Sequence, residues 1–147
     1  MHSTGQHILL LLHILCVIVA FGPAFAVPIL NVRARRLGGD VPATLAQLVQ
    51  GNTLKIYGPA TALVGIFGIG MVSMGGGFAF DQTWISIALL LWLLVLALQF
   101  GLLAPAEKKA AAGDEGAARM QSMFTGIQHL LLLGLLVVMI WKPGVGA

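Results

Sequence analysis

Charged residues are scarce in this chain. They make up 9% of its 147 residues, whereas hydrophobic residues make up 59%. A soluble domain of this length carries roughly a quarter charged residues, because water must solvate its surface. The composition therefore excludes an ordinary water-facing globule and predicts a protein whose surface faces a lipid bilayer.

Cysteine is almost absent, since Cys16 is the only one and lies inside an apolar run. One cysteine forms neither an intrachain disulfide nor a cysteine-rich metal site, so we interpret Cys16 as a small apolar side chain. The sequence also lacks a nucleophile–base constellation and a Cys/His pattern of zinc type. We therefore expect no metal site and no catalytic residues, and the sequence favours a non-catalytic protein over an enzyme without deciding between them.

Four long apolar segments dominate the rest of the chain, each close to the ~20 residues that cross a bilayer core. Because unsatisfied backbone groups are costly in lipid, each segment is predicted to be helical. The predicted fold is an all-α, polytopic bundle of four transmembrane helices that forms a single domain over residues 1–147. The predicted helices cover about 8–30, 57–77, 84–103 and 124–141, and the longer loops cover 31–56 and 104–123.

The four segments contain no Asp, Glu, Lys or Arg. Voltage sensors and ion-coupled transporters rely on ionisable residues at membrane depth, so both classes are excluded. The first segment has a second interpretation as a secretory signal cleaved after Ala26. No basic residue precedes it and the apolar run continues to Leu30, so we expect it to be a retained helix.

Basic residues lie almost entirely in the two longer loops. Loop 31–56 has four and loop 104–123 has three, whereas the hairpin over 78–83 has none. Cytoplasmic loops are enriched in Lys and Arg, so this pattern predicts a multi-pass protein of the bacterial inner membrane with both termini on the non-cytoplasmic side. Lys142 is the exception, and we expect it to reach lipid headgroups. This distribution does not predict nucleic-acid binding.

The first loop also contains a helical pattern. Leu45, Leu48 and Val49 follow helical spacing, and Pro42 suits a first helical turn. A short helix at the inner membrane interface is therefore predicted over 42–50.

Histidines are the main candidates for chemistry. The chain has four: His2, His7, His13 and His129. Neutral imidazole binds haem iron or copper, and a histidine inside a span is a candidate functional residue. Since their helices enter from opposite faces, His13 and His129 are predicted to differ in depth by ~10 Å. That offset disfavours a haem held by both.

A structural role is the alternative for these residues. Gln99 is predicted at a depth similar to that of His129, where the two side chains can hydrogen-bond across the bundle. Gly58, Ala62 and Gly65 form a small-residue stripe that favours close helix packing, or leaves room for a flat cofactor. Within the first helix, Pro23 and Pro28 are expected to bend the chain.

Several of these features resemble a known group. They are Leu12-His13-Ile14-Leu15, the basic first loop, the glycine-rich second helix and the closing stretch from Met139 to Gly144. The chain resembles uncharacterised bacterial four-helix integral membrane proteins, which are similar in layout to the copper-resistance protein D domain and the HemJ-type protoporphyrinogen oxidase. The resemblance covers most of the chain and implies the same fold and topology.

The resemblance also implies haem b binding at His13, because an early histidine of the first helix is linked with haem in the wider group. The oxidase-like members carry a tryptophan soon after this histidine, where this chain has Ala20-Phe21-Gly22. They also carry a basic residue within the bundle, and the four segments here have none.

Three functions follow as hypotheses. The first is an accessory or structural subunit of a larger, respiratory membrane complex or of a homo-oligomer. The second is a haem-b-binding redox protein with His13 as an axial ligand. The third is a passive permease for a small molecule or metal.

Overall fold

Apolar helices account for nearly the whole fold. The computed structural model describes residues 3–75 and 77–145, which are almost entirely helical and contain no β-strand. Among the described residues, four helical stretches are long and apolar enough to cross a membrane: Thr4–Leu37, Val41–Ser73, Thr83–Ala111 and Glu115–Trp141. This confirms the predicted all-α, four-span fold class. The side of the membrane on which the termini lie stays a prediction.

The spans consist of six α-helices and two π-helical turns. The helices are α1 (Thr4–Leu37), α2 (Val41–Val49), α3 (Gly58–Ser73), α4 (Thr83–Leu98), α5 (Ala104–Ala111) and α6 (Glu115–Trp141). The first π turn (Thr53–Tyr57) leads into α3, and the second π turn (Gln99–Leu103) joins α4 to α5. The short interfacial helix expected over 42–50 corresponds to α2.

Helical structure extends well beyond the apolar runs into the regions expected to be loops. Arg, Ala, Lys and Glu favour helix as strongly as most apolar residues, so a helix that starts in lipid continues past its boundary. Glycines at positive φ then end it, Gly38 at +70° after α1 and Gly113 at +94° after α5. At the start of α6, the Asp114 side chain accepts the Ala117 N–H at 2.9 Å.

Helix packing follows two main pairs. α1 packs most extensively against α3, and α4 against α6, while α3–α4 and α1–α6 contacts close the bundle. The core between α4 and α6 contains Ala88, Val95, Leu132 and Leu135. A second cluster lies at the end of the bundle formed by α2 and α5, which we call the loop end. The opposite end, where α1 begins and α6 finishes, is the terminal end.

Lys142 lies at the terminal end beside two aromatic rings. Its Nζ lies 5.3 Å from the ring centroid of Phe78 and 5.5 Å from that of Trp84. A cation over two aromatic faces is stabilised by their negative quadrupoles. The contact joins the end of α6 to the start of α4, and the expected contact of Lys142 with lipid headgroups stays a prediction.

Candidate functional site

His13 lies in the interface between α1 and α3. Its side chain is 7% exposed, and Nδ1 lies 2.8 Å from the Val64 carbonyl oxygen. The ring covers Gly68, where an added Cβ would be 3.5 Å from the imidazole Cε1. A carbonyl only accepts hydrogen bonds, so Nδ1 carries the proton and Nε2 keeps the lone pair. The hydrogen bond therefore joins α1 to α3 and fixes the orientation of the imidazole ring.

His129 contacts α1 at a very different level. Its ring stacks on Phe25 with the centroids 5.1 Å apart and the planes at 23°. Phe25 follows His13 on the same helix by twelve positions, which corresponds to ~18 Å along the axis. The separation exceeds the ~10 Å expected from the sequence. A single iron cannot bind both imidazoles, so the two histidines do not form one haem site.

Of the two remaining histidines, His7 lies near the start of α1, and His2 falls outside the described residues. Within the part of the chain that the structure describes, no group of three or more His, Cys, Asp or Glu side chains converges on one point.

The Gln99 side chain is fully buried. It is 1% exposed, and neither its Oε1 nor its Nε2 has a partner among the described residues. The predicted hydrogen bond between Gln99 and His129 is therefore wrong. The physical reason is the position of the imidazole, which turns toward α1 and stacks on Phe25.

Gly58 and Gly65 of α3 lie against aromatic rings from the second π turn and from α4. An added Cβ on Gly58 would be 2.5 Å from Cζ of Phe100, and one on Gly65 would overlap the ring of Trp92. The Trp92 indole N–H also donates to the Thr61 carbonyl at 2.7 Å. Ala62 is only half-buried beside this seam. The space beside Gly58 and Gly65 is thus filled by aromatic rings of the chain itself, and no room is left there for a flat cofactor.

Proline explains the two π turns. Each turn is followed within two residues by a proline, Pro59 after the first and Pro105 after the second. Proline has no N–H, and its ring collides with the carbonyl four residues earlier in an α-helix. One extra residue in the preceding turn moves that carbonyl away, which is how π turns relieve such collisions. The two π turns contact each other at the loop end.

Glu107 joins these turns and was not identified from the sequence. It lies on α5, is 5% exposed, and its Oε2 accepts the Thr53 N–H at 3.4 Å. The N–H groups of a first helical turn have no partner within the helix and attract negative charge. Glu107 therefore caps the helix that leads into α3. Sequence spacing does not reveal this contact, because it depends on how the π turns rotate α5.

These features define a polytopic integral membrane protein of four spans, in which polar side chains mainly join one helix to another. The chain belongs to the family described as predicted integral membrane protein (DUF2269), whose model matches residues 7–143. The expected resemblance to uncharacterised integral membrane proteins is thereby confirmed. No curated protein and no solved structure matches the chain.

Proposed function

We propose that this protein is an accessory subunit of a larger membrane complex and that its partner docks on α1. The supporting observation is how little of α1 is covered. Only 12% of its most apolar stretch is buried inside the molecule, compared with 28 to 33% for the other three spans. α1 thus carries the largest uncovered helix surface in the bundle.

The composition of that surface distinguishes a partner from lipid. Exposed leucines are as stable against lipid tails as against a partner helix, so they do not indicate a partner. Small residues favour close contact between helix backbones. Gly22 and Ala26 are four residues apart on α1 and are both exposed; we call them the small-residue strip, and the exposed Ile18 lies one turn before them on the same face. A Cβ on Gly22 would meet nothing within 4 Å. At ~100° per residue, Gly22 lies on the side of α1 opposite to His13, facing away from α3.

Site-specific photo-crosslinking in the native membrane tests this proposal. A photoreactive residue at Ile18, which is 60% exposed, should form one defined protein adduct. The same residue at Leu130 on α6, which is 70% exposed, should react with lipid alone. Native mass spectrometry in mild detergent then weighs the assembly, and twice the chain mass would identify a homo-oligomer.

A packing variant makes the test specific to the small-residue strip. Gly22→Leu should abolish the Ile18 adduct without unfolding the protein, because the new side chain enters open space. Gly126→Leu on α6 is the matched control, since its added side chain also meets nothing. A monomeric mass together with lipid-only adducts from Ile18 would contradict the proposal.

Haem b binding at His13 is the second candidate, favoured by the orientation of the imidazole. Axial histidines usually donate their other ring N–H to a carbonyl or carboxylate, as Nδ1 does here to Val64. His129 lies too far along the bundle to bind the same iron as His13. When bound, the haem would supply one-electron redox chemistry.

An absorption spectrum tests whether the protein binds haem b at His13. Protein produced with ample haem should show a Soret band that His13→Ala removes and His129→Ala preserves. If haem binds nonspecifically to the apolar surface, both variants keep the band. A spectrum without a Soret band excludes haem.

A further inference from the structure

A polar groove of about 210 Å³ separates α1 from α6 toward the loop end. One wall is apolar and consists of Val27, Pro28 and Val32. The other lining side chains carry hydrogen-bonding groups and come from both helices: Asn31, Arg35, Gln121, Ser122 and Thr125. The groove contains one cationic side chain and no acidic one.

Three of these polar side chains have no hydrogen-bond partner among the described residues. Thr125 and Ser122 donate their hydroxyl protons to backbone carbonyls of α6, at 2.8 and 3.1 Å. In contrast, the side chains of Asn31, Arg35 and Gln121 make no hydrogen bond with any described residue. Their N–H groups come from two helices and line one concave surface, which leaves several donors available to a ligand.

The level of the groove indicates what reaches it. On α1 the apolar run ends at Leu30, directly before Asn31, and on α6 it begins at Phe124, two residues after Ser122. Both helices therefore change from apolar to polar beside the groove, which is where hydrocarbon meets headgroups in a bilayer. A phospholipid places its phosphate at this level and its acyl chains toward the apolar wall.

We propose that this groove binds the headgroup of an anionic phospholipid. The Arg35 guanidinium, with its fixed fork of donors, binds the phosphate, and the amides of Asn31 and Gln121 donate to the remaining phosphate or glycerol oxygens. The absence of an acidic lining residue favours a negatively charged headgroup over a zwitterionic one. This site is separate from the small-residue strip, which lies on the other side of α1.

Native mass spectrometry of the purified full chain measures which phospholipid each chain retains. The protein is equilibrated with mixed micelles that contain equal amounts of phosphatidylglycerol and phosphatidylcholine. We expect one retained phosphatidylglycerol molecule per chain, and a loss of about fivefold in its occupancy for Arg35→Gln. Arg33→Gln is the matched control, because it removes the same charge two residues away and does not line the groove.

Two further measurements keep the outcomes distinct. Gln121→Leu retains every charge but removes one amide of the groove, so it should also reduce phosphatidylglycerol retention. Circular dichroism shows whether each variant keeps its helices. Inorganic phosphate at millimolar concentration should not displace the lipid; displacement would indicate a free-anion site and overturn the lipid assignment. Equal losses for Arg33→Gln and Arg35→Gln, or equal retention of both lipids by the native chain, would also overturn the proposal.

Discussion

Gly65 determines how closely α3 and α4 approach. Any side chain at this position would overlap the Trp92 ring, whose indole N–H is held by the Thr61 carbonyl. The ring cannot move away without breaking that hydrogen bond. We therefore expect Gly65→Ala to destabilise the fold by ~1–3 kcal/mol, the usual cost of overpacking a filled interior. Unfolding by denaturing detergent, followed by circular dichroism, gives the change in free energy.

Gly126 offers the control for this substitution. A Cβ there meets nothing within 4 Å, so Gly126→Ala should be neutral or slightly stabilising through helix propensity alone. If both variants lost the same stability, the cost would come from alanine in these helices and not from Trp92.

Replacing Gln99 is expected to stabilise the fold, because its side-chain amide is buried without a hydrogen-bond partner among the described residues. Burying an unpaired amide costs ~1–3 kcal/mol, and removing it while keeping the volume recovers that cost. Gln99→Met should therefore stabilise the fold in the same unfolding assay, by ~1 kcal/mol or more. A loss of stability would show that the amide has a bound partner, such as an internal water molecule.

Gln6 makes the comparison quantitative, since it is a buried glutamine with its bonds formed. Its Nε2 donates to the Gly75 carbonyl at 2.9 Å, and its Oε1 accepts the Ser3 N–H at 3.0 Å. Gln6→Met removes both bonds and should destabilise the fold by ~1–2 kcal/mol. The same substitution at the two glutamines is thus expected to have effects of opposite sign.

At the scale of elements, the sequence predicts the apolar part of each helix. It does not predict the two π turns or how they rotate the helical segments that follow them. Apolar runs without charge specify four helices, and the spacing of Gly58 and Gly65 already indicates one small-residue face. A proline such as Pro59 or Pro105 can kink a helix, end it, or be accommodated by a π turn with one extra residue. Packing against neighbouring helices selects among these outcomes. The contact of Glu107 with Thr53 depends on that outcome, so sequence spacing does not predict it.

The Glu107 cap is testable as an interhelical contact. Glu107→Ala leaves the Thr53 N–H without its acceptor at a helix start and should cost ~1–2 kcal/mol. Glu107→Gln keeps an accepting oxygen and should lose less. Glu115→Ala is the control, because Glu115 is an exposed acid in the first turn of α6 and helps that helix only weakly. Thermal unfolding of the three variants should rank Glu107→Ala lowest; equal melting temperatures would contradict the capping role.

For the whole molecule, span number was predictable because it depends on hydrophobic length alone. The positions where the helices end were not predictable from hydrophobic length, because Arg, Lys and Ala continue a helix past the apolar boundary until a glycine ends it. The contact of His129 with Phe25, which leaves Gln99 without the predicted bond, depends on the packing of α1 against α6. Periodicity along one helix does not specify the rotation of its neighbour.

The orientation of the bundle is the last prediction. Four crossings return a chain to the side on which it began, which predicts that Ser3 and Val145 share one side of the membrane. Loops 31–56 and 104–123 carry seven of the eight basic residues, which predicts that these loops are cytoplasmic and that the termini are outside. In a Cys16→Ser background, Ser3→Cys and Val145→Cys should react with a membrane-impermeant maleimide in intact cells. Ala112→Cys between α5 and α6 should react only after permeabilisation, and the reverse pattern would place the basic loops outside.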